Sequence, residues 1–240
     1  MTASFNAPQA RERLAQVQAR IAAAVQQSQR APNAVRLLAV SKLQMAEKIR
    51  TLHDTGQRAF GENYVQEAVD KIAEFAAVPQ YADIEWHLIG PLQSNKTRVV
   101  AEHFQWVHSV DRLKIAERLS AQRPARLPPL NICIQVNISG ETSKSGLAPA
   151  EVAAVARAVA ALPRLRLRGL MAIPEPAADF EAQRVPHRAL HDLWAALRTQ
   201  GLALDTLSMG MSADFEAAIA EGATLVRVGT AIFGARPAAA

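Results

Sequence analysis

From Gln9 to Gln29 apolar residues recur every three or four positions, at Leu14, Val17, Ile21 and Val25, the spacing of one buried helix face. Ala31-Pro32 is the expected stop, because proline cannot continue a helix. The pattern then changes. Arg36-Leu37-Leu38-Ala39-Val40-Ser41-Lys42 carries a continuous apolar run, as in a strand covered on both faces of a parallel sheet. From there the two patterns alternate. Short apolar runs mark further strands at 58–63, 84–89, 106–110, 131–137, 167–173, 206–209 and 225–228. Helical spacing falls between them. It marks 46–55 ahead of Gly56, a segment carrying Val65, Val69, Ile72 and Phe75, and one carrying Leu113, Ala116 and Leu119. Three more follow at 148–162, about 181–200 with Leu190, Leu193, Trp194 and Leu197, and 213–220. A further helix is expected after Ser94, which stands where its side-chain cap belongs, and Asp111 stands in the same place ahead of the helix carrying Leu113. Pro124–Pro129 reads as a connecting loop.

Eight strands alternating with helices in 240 residues predict one α/β domain over residues 1–240, a (β/α)8 TIM barrel rather than an open sheet. Little sequence separates the eighth strand from Phe233-Gly234. The first helix is therefore expected to complete the outer helical ring.

Composition narrows the partners. Half of the residues are hydrophobic and 20% are charged, enough to bury a core and too apolar for disorder. Lys plus Arg number 27 against 22 acids, a net +5 that favours anionic ligands. Scattered basic residues and 5% aromatic content argue against nucleic acid. The densest basic patch, Arg164, Arg166 and Arg168, alternates with Leu165 and Leu167 and reads as a solvated entrance to the sixth strand. A lone Cys133 excludes an intramolecular disulfide and fits a reducing compartment. No run approaches the roughly 20 apolar residues of a membrane span, and residues 1–9 lack the pattern of a secretory signal. A cytoplasmic protein with no membrane partner is the expectation.

Barrels place their ligands at the carboxyl ends of the strands, where Lys42 stands on the first. An amine partly withdrawn from water there attacks carbonyls to form a Schiff base; taken alone, Lys42 also fits a surface lysine reaching for water. Ser208-Met209-Gly210-Met211-Ser212 follows the seventh strand and Gly229-Thr230 the eighth, each ahead of a helical turn. Barrel phosphate sites are commonly built from these two loops, although glycines also serve tight turns. A carbonyl-capturing lysine opposite a phosphate site describes pyridoxal 5′-phosphate, and equally a phosphosugar in a Schiff-base aldolase.

Five segments, Leu38-Ala39-Val40-Ser41-Lys42, Gly61-Glu62-Asn63-Tyr64, the run from Trp86 to Lys96, Ser208-Met209-Gly210-Met211-Ser212 and the run from Val226 to Gly234, resemble the YggS/PROSC family of pyridoxal phosphate homeostasis proteins. The likeness spans almost the whole chain in order. It implies an alanine-racemase-type barrel carrying pyridoxal 5′-phosphate as a Schiff base on Lys42. It further implies Ser212, Gly229 and Thr230 around the phosphate, Arg227 near the pyridine nitrogen, and Asn63, Met209 and Met211 as pocket residues. Gln44 is a departure, since members often carry a second lysine there. The implied role is to buffer the cofactor or deliver it to apo-forms of cofactor-dependent enzymes.

Arginine cannot accept the ring proton, so a ring facing Arg227 stabilises carbanions poorly. Racemases of this fold also draw a tyrosine from an added β domain and a partner subunit. Here the tyrosines are Tyr64 and Tyr81, the latter in an expected loop before the third strand. No catalytic residue is assigned. A monomeric carrier with little or no turnover is expected, and a slow racemase or lyase using the same cofactor is the alternative. His187 and His191 lie four apart on a helix, a metal-compatible spacing. They lack a third ligand and read as an exposed helix face, so no metal site is expected. His87 and His108 read as hydrogen-bonded residues within barrel strands, and Lys144 as a solvated lysine on the loop after the fifth strand.

Overall fold

The computed structural model describes residues 6–141 and 145–234. Eight parallel strands close into a barrel in chain order: β1 (Arg36–Val40), β2 (Ala59–Glu62), β3 (Glu85–Leu88), β4 (Trp106–Val110), β5 (Leu130–Gln135), β6 (Leu165–Met171), β7 (Thr206–Ser208) and β8 (Leu225–Val228). The outer elements are α1 (Ala7–Gln27), α2 (Ala46–His53), α3 (Val65–Ala76), α4 (Thr97–His103), α5 (Leu113–Gln122), α6 (Pro149–Ala160), α7 (Phe180–Thr199), α8 (Phe215–Ala220) and α9 (Thr230–Phe233). This is the (β/α)8 architecture expected from the alternation.

Alternate residues of each strand face opposite ways. Leu37, Ala39, Trp86, Leu88, Leu207, Val226 and Val228 face outward and join the helices in the main apolar layer. Inward positions are divided. Leu38, Ala59 and Leu225 form one small cluster and Trp106, Cys133 and Met171 another, while His87, His108, Ser208 and Arg227 are buried polar groups on the same inward set.

The first helix completes the ring as expected. It packs against α2, α8 and α9, Arg20 forming an ion pair with Glu216 at 2.6 Å while lying over the Phe215 ring. Its end differs from the expectation. The helix stops at Gln27, before Ala31-Pro32, because Gln29 adopts a left-handed φ of 53°. The Arg30 amide then reaches back to Val25 O at 3.1 Å and the Gln29 amide to Gln26 O at 2.9 Å, a Schellman closure that needs no proline.

Two expected caps are corrected. Ser94 opens a 3-10 turn, Ser94–Lys96, so that α4 starts three residues on with no side-chain cap, and the Ser94 hydroxyl faces Arg112 Nη2 at 3.5 Å instead. Asp111 is drawn off by Arg112 at 2.7 Å, and α5 begins without a side-chain cap. The arginine patch is also less uniform than its alternation implied. Arg164 sits ahead of β6 with φ 62°, while Arg168 is held by Asp205 and Asn131 and lies over Trp106.

Candidate functional site

At the carboxyl end of the barrel, β1 runs two residues past its last strand position. The Ser41 amide still donates to Gly61 O at 2.9 Å, and Lys42 then turns away because Leu43 takes a left-handed φ of 59°. That turn is braced from behind. Lys71 Nζ donates to Ser41 O at 2.8 Å, to Glu62 Oε1 at 2.9 Å and to Glu67 Oε1 at 2.6 Å. Ser41 Oγ donates to Glu62 Oε1 and the Leu43 amide to Glu67 Oε1, both at 2.6 Å. Both neighbours of Lys42 are thus tied to one buried cluster. Burial raises the Glu62 carboxyl above its ordinary range, and Lys71 and the Ser41 hydroxyl offset only part of that rise.

Across the mouth, the β7–α8 loop depends on Gly210, whose φ is 90° and where a Cβ would meet Ala218 Cβ at 2.6 Å. Asp214 Oδ1 accepts from the Met211 amide at 2.6 Å, and Oδ2 lies 3.0 Å from His187 Nε2. Burial would raise the Asp214 carboxyl, but the hydrogen bonds from His187 and Met211 outweigh it and hold the group below the usual carboxylate range. His187 is therefore buried and anchors this loop, which corrects its reading as part of an exposed face. His191 is more open and lies beside Trp194. Among the described residues no three or more His, Cys, Asp or Glu gather as a metal site.

Between these two walls lies a cavity of about 270 Å3. Lys42, Asn63, Met211, Ser212, Arg227, Gly229 and Thr230 line it, together with Val40, Ile89 and Ile173 as its apolar wall. Met209 does not reach it. That residue is fully buried in the main apolar layer, because it continues the outward alternation of β7. Gln44, the position that departs from the family pattern, is on the wall and accepts from Lys48 Nζ at 2.6 Å. Lys144 lies outside the described residues.

Arg227 is almost fully buried at the cavity floor. Its Nη1 donates to Ser208 Oγ at 2.7 Å and its Nη2 to Ala172 O at 2.8 Å. Burial lowers it to about 10, so it remains a cation at neutral pH. His87 and His108 are hydrogen-bonded within the barrel as the sequence indicated. Sequence reasoning missed Glu62, Glu67, Lys71, Ser208, His187 and Asp214. None belongs to a spacing motif that names its partner; the polar residues Ser41 and Ser208 at strand ends were the available hint.

The alanine racemase N-terminal domain family matches residues 13–237. The pyridoxal phosphate homeostasis protein of Pseudomonas aeruginosa is 62% identical over 94% of this chain and 95% of its own length. The chain belongs to the YggS/PROSC family. A solved structure of a further member, PipY of Synechococcus elongatus with PLP bound, is 39% identical with a TM-score of 0.81, over 94% of this chain and 100% of that one. Alanine racemase from Corynebacterium glutamicum shares the fold at 18% identity and a TM-score of 0.64, over 93% of this chain but 62% of its own.

The residues present suit the cofactor that the family name implies. The wall presents a lysine, two hydroxyls and a cation around an apolar interior. Asn63 Oδ1 is buried at this wall without a hydrogen-bond partner, an acceptor that a ligand donor would satisfy.

Proposed function

We propose that the chain binds pyridoxal 5′-phosphate in this cavity and serves its intracellular homeostasis, with Lys42 as the covalent anchor and with little or no turnover. The observation that carries the reading is the convergence of Lys42, Ser212, Gly229, Thr230 and Arg227 on one cavity, although they come from three regions far apart in the chain, at the carboxyl ends of β1, β7 and β8. When bound, the cofactor supplies an aldehyde that an amine captures reversibly and a ring that can accept electron density. Lys42 would hold the aldehyde end. Ser212, Gly229 and Thr230 would hold the phosphate. Asn63 and Met211 would border the ring, and Arg227 would serve its nitrogen.

Arg227 offers that nitrogen hydrogen bonds and no acceptor, which suits storage better than carbanion chemistry. The tyrosines also favour storage. Tyr64 is 53% exposed and does not line the cavity, and Tyr81 ends a 3-10 turn with its ring against Phe75. The names of the relatives and the PLP bound to PipY support the same ligand. Delivery to apo-enzymes, a cytoplasmic setting and a monomeric state belong to this reading.

Titrating cofactor-free protein with pyridoxal 5′-phosphate tests it, followed by an amino-acid racemisation assay on the loaded protein. The expected result is a saturable absorbance change at one site per chain, lost in Lys42→Ala, with negligible turnover. No saturable site would overturn the binding, and turnover comparable to a dedicated racemase would overturn the carrier role.

A further inference from the structure

A single file of hydrogen bonds crosses the barrel interior from the cavity floor to the opposite rim. Arg227 Nη1 donates to Ser208 Oγ at 2.7 Å, and Ser208 Oγ lies 2.8 Å from His108 Nδ1. His108 Nε2 lies 2.9 Å from His87 Nδ1, and His87 Nε2 lies 2.8 Å from Glu85 Oε1. The links come from β8, β7, β4 and β3. Ser208, His108 and His87 have no exposed surface. The His87 ring is stacked on Trp106 with centroids 5.2 Å apart and planes 8° from parallel. At the far rim Glu85 also meets Arg36 at 2.8 Å.

The two ends determine where every proton lies. A guanidinium can only donate and an ionised carboxylate can only accept. Glu85 is ionised: burial would raise its carboxyl, but the His87 hydrogen bond and the Arg36 charge bring it to about 2. His87 must therefore carry its proton on Nε2. Burial keeps both imidazoles neutral at pH 7, so His87 Nδ1 is a lone pair and His108 Nε2 must be the donor to it. His108 Nδ1 is then also a lone pair, the Ser208 hydroxyl donates to it, and the serine oxygen is left to accept from Arg227. Every donor points the same way, from the cavity to the rim. Reversing the whole file requires both a neutral arginine and a protonated Glu85.

We propose that Ser208, His108, His87 and Glu85 are positioning residues that pin Arg227 as a cationic, donor-only floor of the cavity. The proposal rests on the reading of the cavity given above and adds a specificity: the floor accepts a ring nitrogen with a free lone pair and rejects a cationic one. Ala172 O holds the second guanidinium nitrogen, so the group has little freedom to turn aside.

The test has one arm without ligand and one with it. Nitrogen-15 NMR of ring-labelled histidine in cofactor-free protein is expected to show both His87 and His108 neutral at pH 7, protonated on Nε2 and bare on Nδ1. An imidazolium, or the opposite tautomer at either ring, overturns the file. The second arm compares binding of pyridoxal 5′-phosphate with its N-methylated pyridinium analogue. The native chain is expected to prefer the former. Ser208→Ala should lower that preference about tenfold and Glu85→Gln about threefold, while Arg20→Gln, on the outer ring with Glu216 and away from every link, should leave it unchanged within about twofold. Glu85→Gln lies at the opposite rim and keeps the test decisive should Ser208→Ala fail to fold. Unchanged preference in both variants overturns the positioning role. A native chain that binds neither compound refutes the cavity assignment instead, and the tautomers are still read independently.

Discussion

Behind Lys42 one amine sits among two carboxylates, a hydroxyl and a backbone carbonyl, so Lys71 is a hub with several acceptors. Behind Arg227 the polar groups stand in line, each with one partner on either side. The hub grips backbone, at Ser41 O and the Leu43 amide, and so sets where the lysine leaves the strand. The file grips a side chain and sets its charge and direction. Both networks are buried, where an unpaired polar group is costly, yet they tolerate change differently. The hub holds a carboxyl already pushed upward, Glu62, and can take up a proton locally. The file has one proton arrangement and no slack.

Removing the centre of the hub should have the largest effect on folding. Lys71→Met leaves the buried Glu62 and the partly exposed Glu67 without their cation, and a loss of about 3–5 kcal/mol is expected in urea unfolding. A loss under about 1 kcal/mol would mean that the carboxyls simply protonate and that the hub contributes little.

Acid should separate the two networks next. His87 and His108 are held below their ordinary value of 6.5 by burial. Unfolding therefore takes up protons once the pH falls below about 6.5, and stability declines from there. Glu85, brought from 4.5 to about 2, adds a second decline as pH falls from about 4.5 toward 2. Glu62 is shifted the other way, and its protonation favours the fold at low pH. Urea midpoints measured from pH 8 to 4 should fall with pH in the native chain. Replacing His108 with Gln should flatten the portion near pH 6, and an unchanged slope would contradict the neutral pair.

The smallest effect sharpens the placement of a single residue. Met209 lies behind the cavity wall, so Met209→Leu, which conserves volume, should cost less than about 1.5 kcal/mol and leave cofactor affinity unchanged by absorbance titration. A weaker complex would place Met209 on the wall.

Periodicity made the eight strands legible, and with them the carboxyl-end position of Lys42 and of the loops bearing Ser212 and Thr230. Those readings need only local pattern and the geometry of a barrel. The polar networks were not legible, because their partners meet only after the sheet closes: His108 and Ser208 are 100 residues apart and Lys71 reaches Ser41 across 30. His187 shows the limit of helical spacing, which gives a face but not what covers it. Met209 shows the limit of proximity in sequence, since a one-residue step on a strand reverses the side. The end of α1 shows a third limit: backbone closure at Gln29 stops the helix before the proline that would have stopped it.

The central claim is that Lys42 is the covalent anchor for pyridoxal 5′-phosphate. Borohydride reduction of the loaded protein, followed by peptide mass mapping, tests it most directly. The account predicts a reduced pyridoxyl label on the peptide containing Lys42 and little elsewhere. A label scattered over surface lysines, or none, would contradict it and leave the cavity to another phosphorylated ligand.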